Sequence, residues 1–225
     1  MGRCASYLIG PLVLFEVVAL SACLSAPERR TEALPLLVAV EREEGTYDFC
    51  VGTAISASLV VTAAHCVADI DRRRIVVTLQ SGLSEEVLAK AIHPRFNRSS
   101  GQFDLAVLSV GPGSLKSDAA IGPLPEPPAD LYSLSILDES GLDLRFGEGA
   151  SLRRVDWNDG GDVCEQVEEY CVRPSSRSGL CAGDSGAALV GSQPDEDIVV
   201  GFFSHVLGGD DSDPCSAGVA VFASA

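Results

Sequence analysis

LCAGDSGAAL, residues 180–189, frames Ser185 between Gly183 and Gly186, directly after Asp184 and four residues after Cys181. Gly, Asp and Ser are the commonest turn residues, so the stretch alone reads equally as a surface turn. The other reading is an activated nucleophile. The rest of the chain decides between them.

The chain has 225 residues, 46% hydrophobic and 21% charged, with 22 Gly and 12 Pro. That suits one substantial domain or two small packed ones. Val, Ile, Leu and Thr recur in short runs broken by Gly and Pro, which predicts an all-β fold. The net charge of −16 repels phosphate backbones and argues against nucleic-acid binding.

The N-terminus reads as a targeting segment. Arg3 gives a short basic start, and residues 7–20 are mostly apolar but interrupted by Glu16 and short for a membrane span. It ends in LSAC, residues 20–23, which resembles the lipobox of bacterial lipoproteins. The expectation is a signal peptide over residues 1–22, lipidation of Cys23 and a polar tether over residues 23–35. An ordinary cut after Ala26 is the rival, which Pro27 disfavours. Lipidation would anchor the chain to a membrane of the bacterial cell envelope, at the outer membrane or the periplasmic face; without it the chain would be secreted. Of eight cysteines, Cys4 leaves with the signal and Cys23 carries lipid, so six remain, which fits an oxidising compartment. Six cysteines allow fifteen pairings. No CxxC or HxxxH spacing supports a metal site, and no cofactor is expected.

From Leu36 the pattern becomes strand-like. LLVAVE, VGTAISASLVVTA, RIVVTLQ, EVLAKAIH and FDLAVLSV form one cluster. GPLPEPPADL, residues 122–131, is a proline-rich linker. YSLSILD, ASLRRVDW, GAALVGS, DIVVGFFSHV and AGVAVFA form a second cluster. Two clusters of short strands predict two barrels, over residues 36–121 and 132–225.

Three motifs carry chemistry. VVTAAHC, residues 60–66, brings His65 to the end of an apolar strand. FDLAVL, residues 103–108, puts Asp104 at the head of another, where a buried carboxylate is costly unless paired. GDSG, residues 183–186, supplies Ser185. In the order His, Asp, Ser, they resemble the trypsin/chymotrypsin family of serine proteases, whose triad the general theory of enzyme catalysis takes as its template. The resemblance runs from about Leu36 to near the C-terminus, and residues 92–97, IHPRFN, agree with it.

The resemblance implies two six-stranded antiparallel barrels with the active site between them. His65 would be the base that takes the Ser185 proton, and Asp104 would fix the histidine tautomer. The N–H groups of Gly183 and Ser185 would form the oxyanion hole, worth about 3 kcal/mol per donor. Ser204 would support the aspartate and line the cleft. The implied disulfides are Cys50 with Cys66, Cys164 with Cys171 and Cys181 with Cys215. Gly179 at the pocket base, Val206 and Gly218 would shape a slot for small or medium aliphatic side chains rather than Lys or Arg.

Four departures stand against the family pattern. No IVGG-like start is present to supply an ammonium for Asp184, which leaves Arg145, Arg153 or Arg154 as candidate partners. GDSGAAL replaces GDSGGP, and His205 stands where the family has a large aromatic residue. The chain ends at AVFASA, without the family's C-terminal helix. Two functions follow: a membrane-tethered serine endopeptidase acting on protein or peptide substrates, or a catalytically inactive binding or regulatory protein on the same frame.

Overall fold

Short runs of Val, Ile and Ala build the first sheet, because β-branched side chains fit a pleated, half-buried surface. The computed structural model describes residues 36–42, 50–79, 81–117, 119–123, 130–135, 151–157, 169–174, 180, 183–192, 197–207 and 219–225. All of them fall within the unit Thr31–Ala225. The expected signal, tether and Cys23 lie outside the described residues.

The first sheet comprises β1 (Leu36–Arg42), β2 (Cys50–Ala54), β3 (Leu59–Thr62), β4 (Ile75–Thr78), β5 (Ser84–Glu86), β6 (Ala89–Ile92) and β7 (Ala106–Ser109). Its order is β5-β4-β1-β2-β3-β7-β6, and these strands pair antiparallel throughout. The two edge strands, β5 and β6, are separated in the chain by residues 87 and 88 alone. The sheet must therefore curl until its edges approach. Val87 turns inward at 2% exposure, and the Leu88 N–H donates to the Ser109 carbonyl at 2.8 Å. Ile75 and Val77 of β4, with Ala106 and Leu108 of β7, point into the first core beside Val60 and Val67.

The second sheet comprises β8 (Ala120–Ile121), β9 (Asp130–Ser135), β10 (Ser151–Trp157), β11 (Glu169–Pro174), β12 (Ala188–Ser192), β13 (Asp197–Leu207) and β14 (Val219–Ser224). Its order is β12-β9-β10-β11-β14-β13-β8, and an extra β12–β13 pairing joins six of these strands in a ring. β8 adds to β13 in parallel, outside that ring. Phe202, Phe203 and Phe222 fill its core, with Phe203 and Phe222 tilted at 5.5 Å between ring centroids.

The expected six strands per barrel become seven per sheet. β5 reads SEE, too polar and short to announce a strand, and β8 has two residues. β11, EYCVRP, was also absent from the expected strands, since Glu and Pro interrupt its apolar pattern. The expected linker, residues 122–131, lies largely outside the described residues, and β9 starts within it. Among the described residues no helix follows β14, and none is long and apolar enough to cross a membrane.

The two sheets meet at the GDSG turn, residues 183–186. Val51 and Val61 of the first sheet join the core of the second. The Val51 N–H donates to the Ser185 carbonyl at 2.9 Å, and Thr53 Oγ1 donates to the Gly186 carbonyl at 3.0 Å. From the other side the Gly186 N–H donates to the Phe203 carbonyl at 2.7 Å. Gly186 has φ 97°, and an added Cβ would overlap the Val51 carbonyl oxygen and lie 2.7 Å from Thr62 Oγ1. Both constraints demand glycine. Gly186→Ala is expected to destabilise the protein by about 3 kcal/mol or more, measured by chemical denaturation.

Candidate active site

His65 sits on α1 (Ala64–Val67), one turn beyond the end of β3. The Lys90 ammonium donates to the carbonyls of Val67, Ala68 and Ile70 at 2.7, 3.3 and 2.5 Å, which caps this turn with a positive charge. Burial lowers the Lys90 pKa, and nearby Asp71 opposes that effect. Cys50 and Cys66 form a disulfide that ties α1 to β2, as the resemblance implied. Cys50, His65 and Cys66 bring three ligand-type atoms within 4.8 Å of one another, but both sulfurs are spent in that bond. Cysteine binds a metal through its thiolate, which these bonded sulfurs do not offer, so this cluster does not fit a metal ion.

Asp104 enters from the loop before β7. Phe103, the residue before it, has φ 52°, an uncommon conformation for a bulky side chain. Its ring stacks on His93 at 5.1 Å, and the Arg95 guanidinium lies 3.8 Å from the ring centroid. The Leu105 N–H closes a tight turn to the Phe103 carbonyl at 2.8 Å, around Asp104. These contacts hold the strained backbone that aims the carboxylate.

Asp104 is 2% exposed and accepts three hydrogen bonds. His65 Nδ1 donates to Oδ2 at 2.6 Å, the His65 backbone N–H to Oδ1 at 2.8 Å, and Ser204 Oγ to Oδ2 at 2.6 Å. Burial pushes the carboxyl pKa up, but the His65 imidazole, its charge and the Ser204 hydroxyl together hold it below the ordinary value. Glu169 on β11 is pushed the other way, by its own burial and by the Asp104 charge.

Ser185 is 8% exposed, on the turn before β12. Its Oγ donates to the Ser204 carbonyl at 3.3 Å. Among the described residues it makes no hydrogen bond to His65, whose Nε2 has Cys66 Sγ as its neighbour at 3.5 Å. The expected constellation is thus brought together in two parts: His65, Asp104 and Ser204 form one bonded group, and Ser185 joins it through the backbone of Ser204. Gly183 has φ 107°, and among the described residues neither its N–H nor that of Ser185 is committed to another backbone group.

Asp184 is fully buried and has a partner. Of the cations expected for it, Arg153 and Arg154 lie on β10, and Arg145 lies outside the described residues. Val206 is on β13, half-buried, opposite Ala220. Gly179, Gly218, Cys164, Cys181 and Cys215 lie outside the described residues, while Cys171 is disulfide-bonded. Sequence reasoning missed the contact of His205 Nδ1 with Ser204 Oγ, at 2.9 Å. Adjacency in the chain was its only signal.

Two curled antiparallel sheets meeting at a His–Asp pair and a GDSG turn define a serine-protease-type fold. The profile of the family described as Trypsin matches residues 25–224, and the chain belongs to that family. It is 23% identical to neutrophil elastase of Mus musculus over 91% of this chain and 78% of that one. It is 27% identical to a trypsin of Saccharopolyspora erythraea, over 69% and 76% of the two chains. Among solved structures it resembles two inactivated protease paralogues of the scabies mite. S-I1 has a TM-score of 0.64 at 22% identity, covering 84% of this chain and 88% of that one. S-D1 has a TM-score of 0.66 at 19% identity, covering 84% and 86%.

Because the folded Asp104 pKa lies below its unfolded value, its stabilisation is present above about pH 4 and is lost as pH falls through the folded value. Asp104→Asn replaces an acceptor by an amide facing the donors of His65 and Ser204. It is expected to cost about 1–3 kcal/mol at pH 7, with the difference from wild type closing below about pH 4 in denaturation curves.

Proposed function

We propose that, in the form described here, this chain is a protease-fold binding protein that holds a polypeptide segment without cutting it. One observation carries the reading: the Ser185 hydroxyl donates to the Ser204 carbonyl and not to His65. A serine hydroxyl is a poor nucleophile at neutral pH unless a base takes its proton. Here the base is oriented by Asp104 but has no hydrogen bond to the nucleophile among the described residues. Binding survives this loss. The Gly183 and Ser185 N–H groups remain suited to hold a carbonyl oxygen, and β13 lies beside them. The likeness to inactivated paralogues is consistent with such a use of the fold.

A second reading has its own support. All three triad residue types are present, and the His65–Asp104–Ser204 bonds are made. In this reading a small rotation of Ser185 restores an endopeptidase that acts through an acyl-enzyme. Its slot, with Gly179, Val206 and Gly218, would favour small or medium aliphatic side chains. Within either reading, lipidated Cys23 would tether the chain to a bacterial membrane. Cys23→Ser would then move it from the membrane to the soluble fraction, and an unchanged distribution would end that part of the proposal.

A fluorophosphonate probe decides between the readings. Binding without catalysis predicts no labelling of the full chain or of Ser185→Ala, before or after brief trypsin treatment. Labelling of the wild type that Ser185→Ala abolishes establishes the hydrolase instead. Labelling only after trypsin identifies a zymogen.

A further inference from the structure

The protons around Ser204 can be counted. Asp104, held as a carboxylate, only accepts hydrogen bonds. At 2.6 Å from Asp104 Oδ2, Ser204 Oγ must therefore spend its single proton on that bond. The His205 Nδ1 atom lies 2.9 Å from the same oxygen. With the hydroxyl proton already used, this second bond exists only if Nδ1 carries a hydrogen and donates it. The neutral His205 ring is thereby fixed as the Nδ1–H tautomer, with Nε2 bare.

The ring is held in place from two sides. β13 changes register against β14 between Phe203 and His205, and this irregularity brings two successive side chains, Ser204 and His205, into mutual contact. Opposite, Gly101 (φ 71°) packs its backbone on the imidazole, and a Cβ there would stand 2.9 Å from Cε1. Gly101 belongs to the loop, pinned by an Asn97–Gln102 bridge, that leads directly into Phe103 and Asp104. The imidazole thus touches both the segment that delivers Asp104 and the hydroxyl that bonds it.

We propose that His205 is a positioning residue: its Nδ1–H donates to Ser204 Oγ, strengthens the bond that this hydroxyl gives to Asp104 Oδ2, and so holds the carboxylate aimed at His65. An aromatic hydrocarbon at this position fills the same space but offers no donor to the Ser204 oxygen. The proposal goes beyond the binding and hydrolytic readings, because it concerns the resting His–Asp pair that both share. Among the described residues, the charged or titratable groups facing Asp104 are His65 from α1, His205 from β13 and Glu169 from β11.

The test is nuclear magnetic resonance on the full, isotope-labelled chain, with no substrate or probe. Nitrogen shifts of wild-type His205 above its pKa should show Nδ1 protonated and Nε2 bare, a measurement that needs no variant to fold. His205→Leu should raise the midpoint of the Asp104 carboxyl titration, because the Ser204–Asp104 bond loses the donor that polarises it. His205→Asn, whose amide N–H replaces the Nδ1 donor, should bring that midpoint back. A neutral His205 protonated on Nε2 overturns the proposal. So does a Leu variant in which Asp104 titrates as in wild type, or an Asn variant that titrates like the Leu variant. None of these readouts depends on whether Ser185 reacts, so the fluorophosphonate result and this one fail separately.

Discussion

A carboxylate with 2% of its surface exposed is the constraint around which this site is arranged. An unpaired charge at that depth costs several kcal/mol, so Asp104 can exist there only with partners on its oxygens. Those partners come from both sheets: the imidazole and backbone of His65 from the first, and the Ser204 hydroxyl from the second. Bringing them together requires a strained residue at 103, an aromatic and a guanidinium packed on its ring, and a register shift in β13. Each of these is locally unfavourable or unremarkable alone. Together they make burial of the charge affordable.

The join between the sheets follows a second, steric rule. The turn carrying Ser185 is laced to β2 through the Ser185 and Gly186 carbonyls, and to β13 through the Gly186 N–H. Gly186 tolerates this only because it lacks a Cβ. The nucleophile's backbone is therefore fixed by packing between sheets, whereas its side chain is fixed by a single bond of 3.3 Å. Backbone placement and side-chain direction are separate variables here, and the fold determines the first far more tightly than the second.

That separation explains what the sequence made legible. His65, Asp104 and Ser185 were readable because each lies in a short motif whose residue types have few other uses together, whereas Ser204 was legible only through the family resemblance. The main strands were readable for the same reason that they form, an apolar alternation in short runs. β5, β8 and β11 were not, because their pairing comes from neighbours rather than from their own residues, as SEE and EYCVRP illustrate. The direction of the Ser185 hydroxyl was not readable either. A torsion about one bond leaves no trace in residue identity. His205 was visible as an unusual wall residue, but its bond to Ser204 depends on an irregularity in β13 that no local pattern announces.

Ser204 is where these threads meet. Its hydroxyl donates to Asp104 and accepts from His205, while its carbonyl accepts from Ser185. The side-chain bonds serve the charge, and the carbonyl bond serves the serine. Nothing in the geometry forces both to change together. The Asp104–His65 pair therefore keeps its stabilising role whichever way Ser185 points, because the cost of an unpaired buried carboxylate is independent of catalysis. At this site the histidine and the Ser204 hydroxyl satisfy a buried charge through bonds that do not involve the Ser185 side chain.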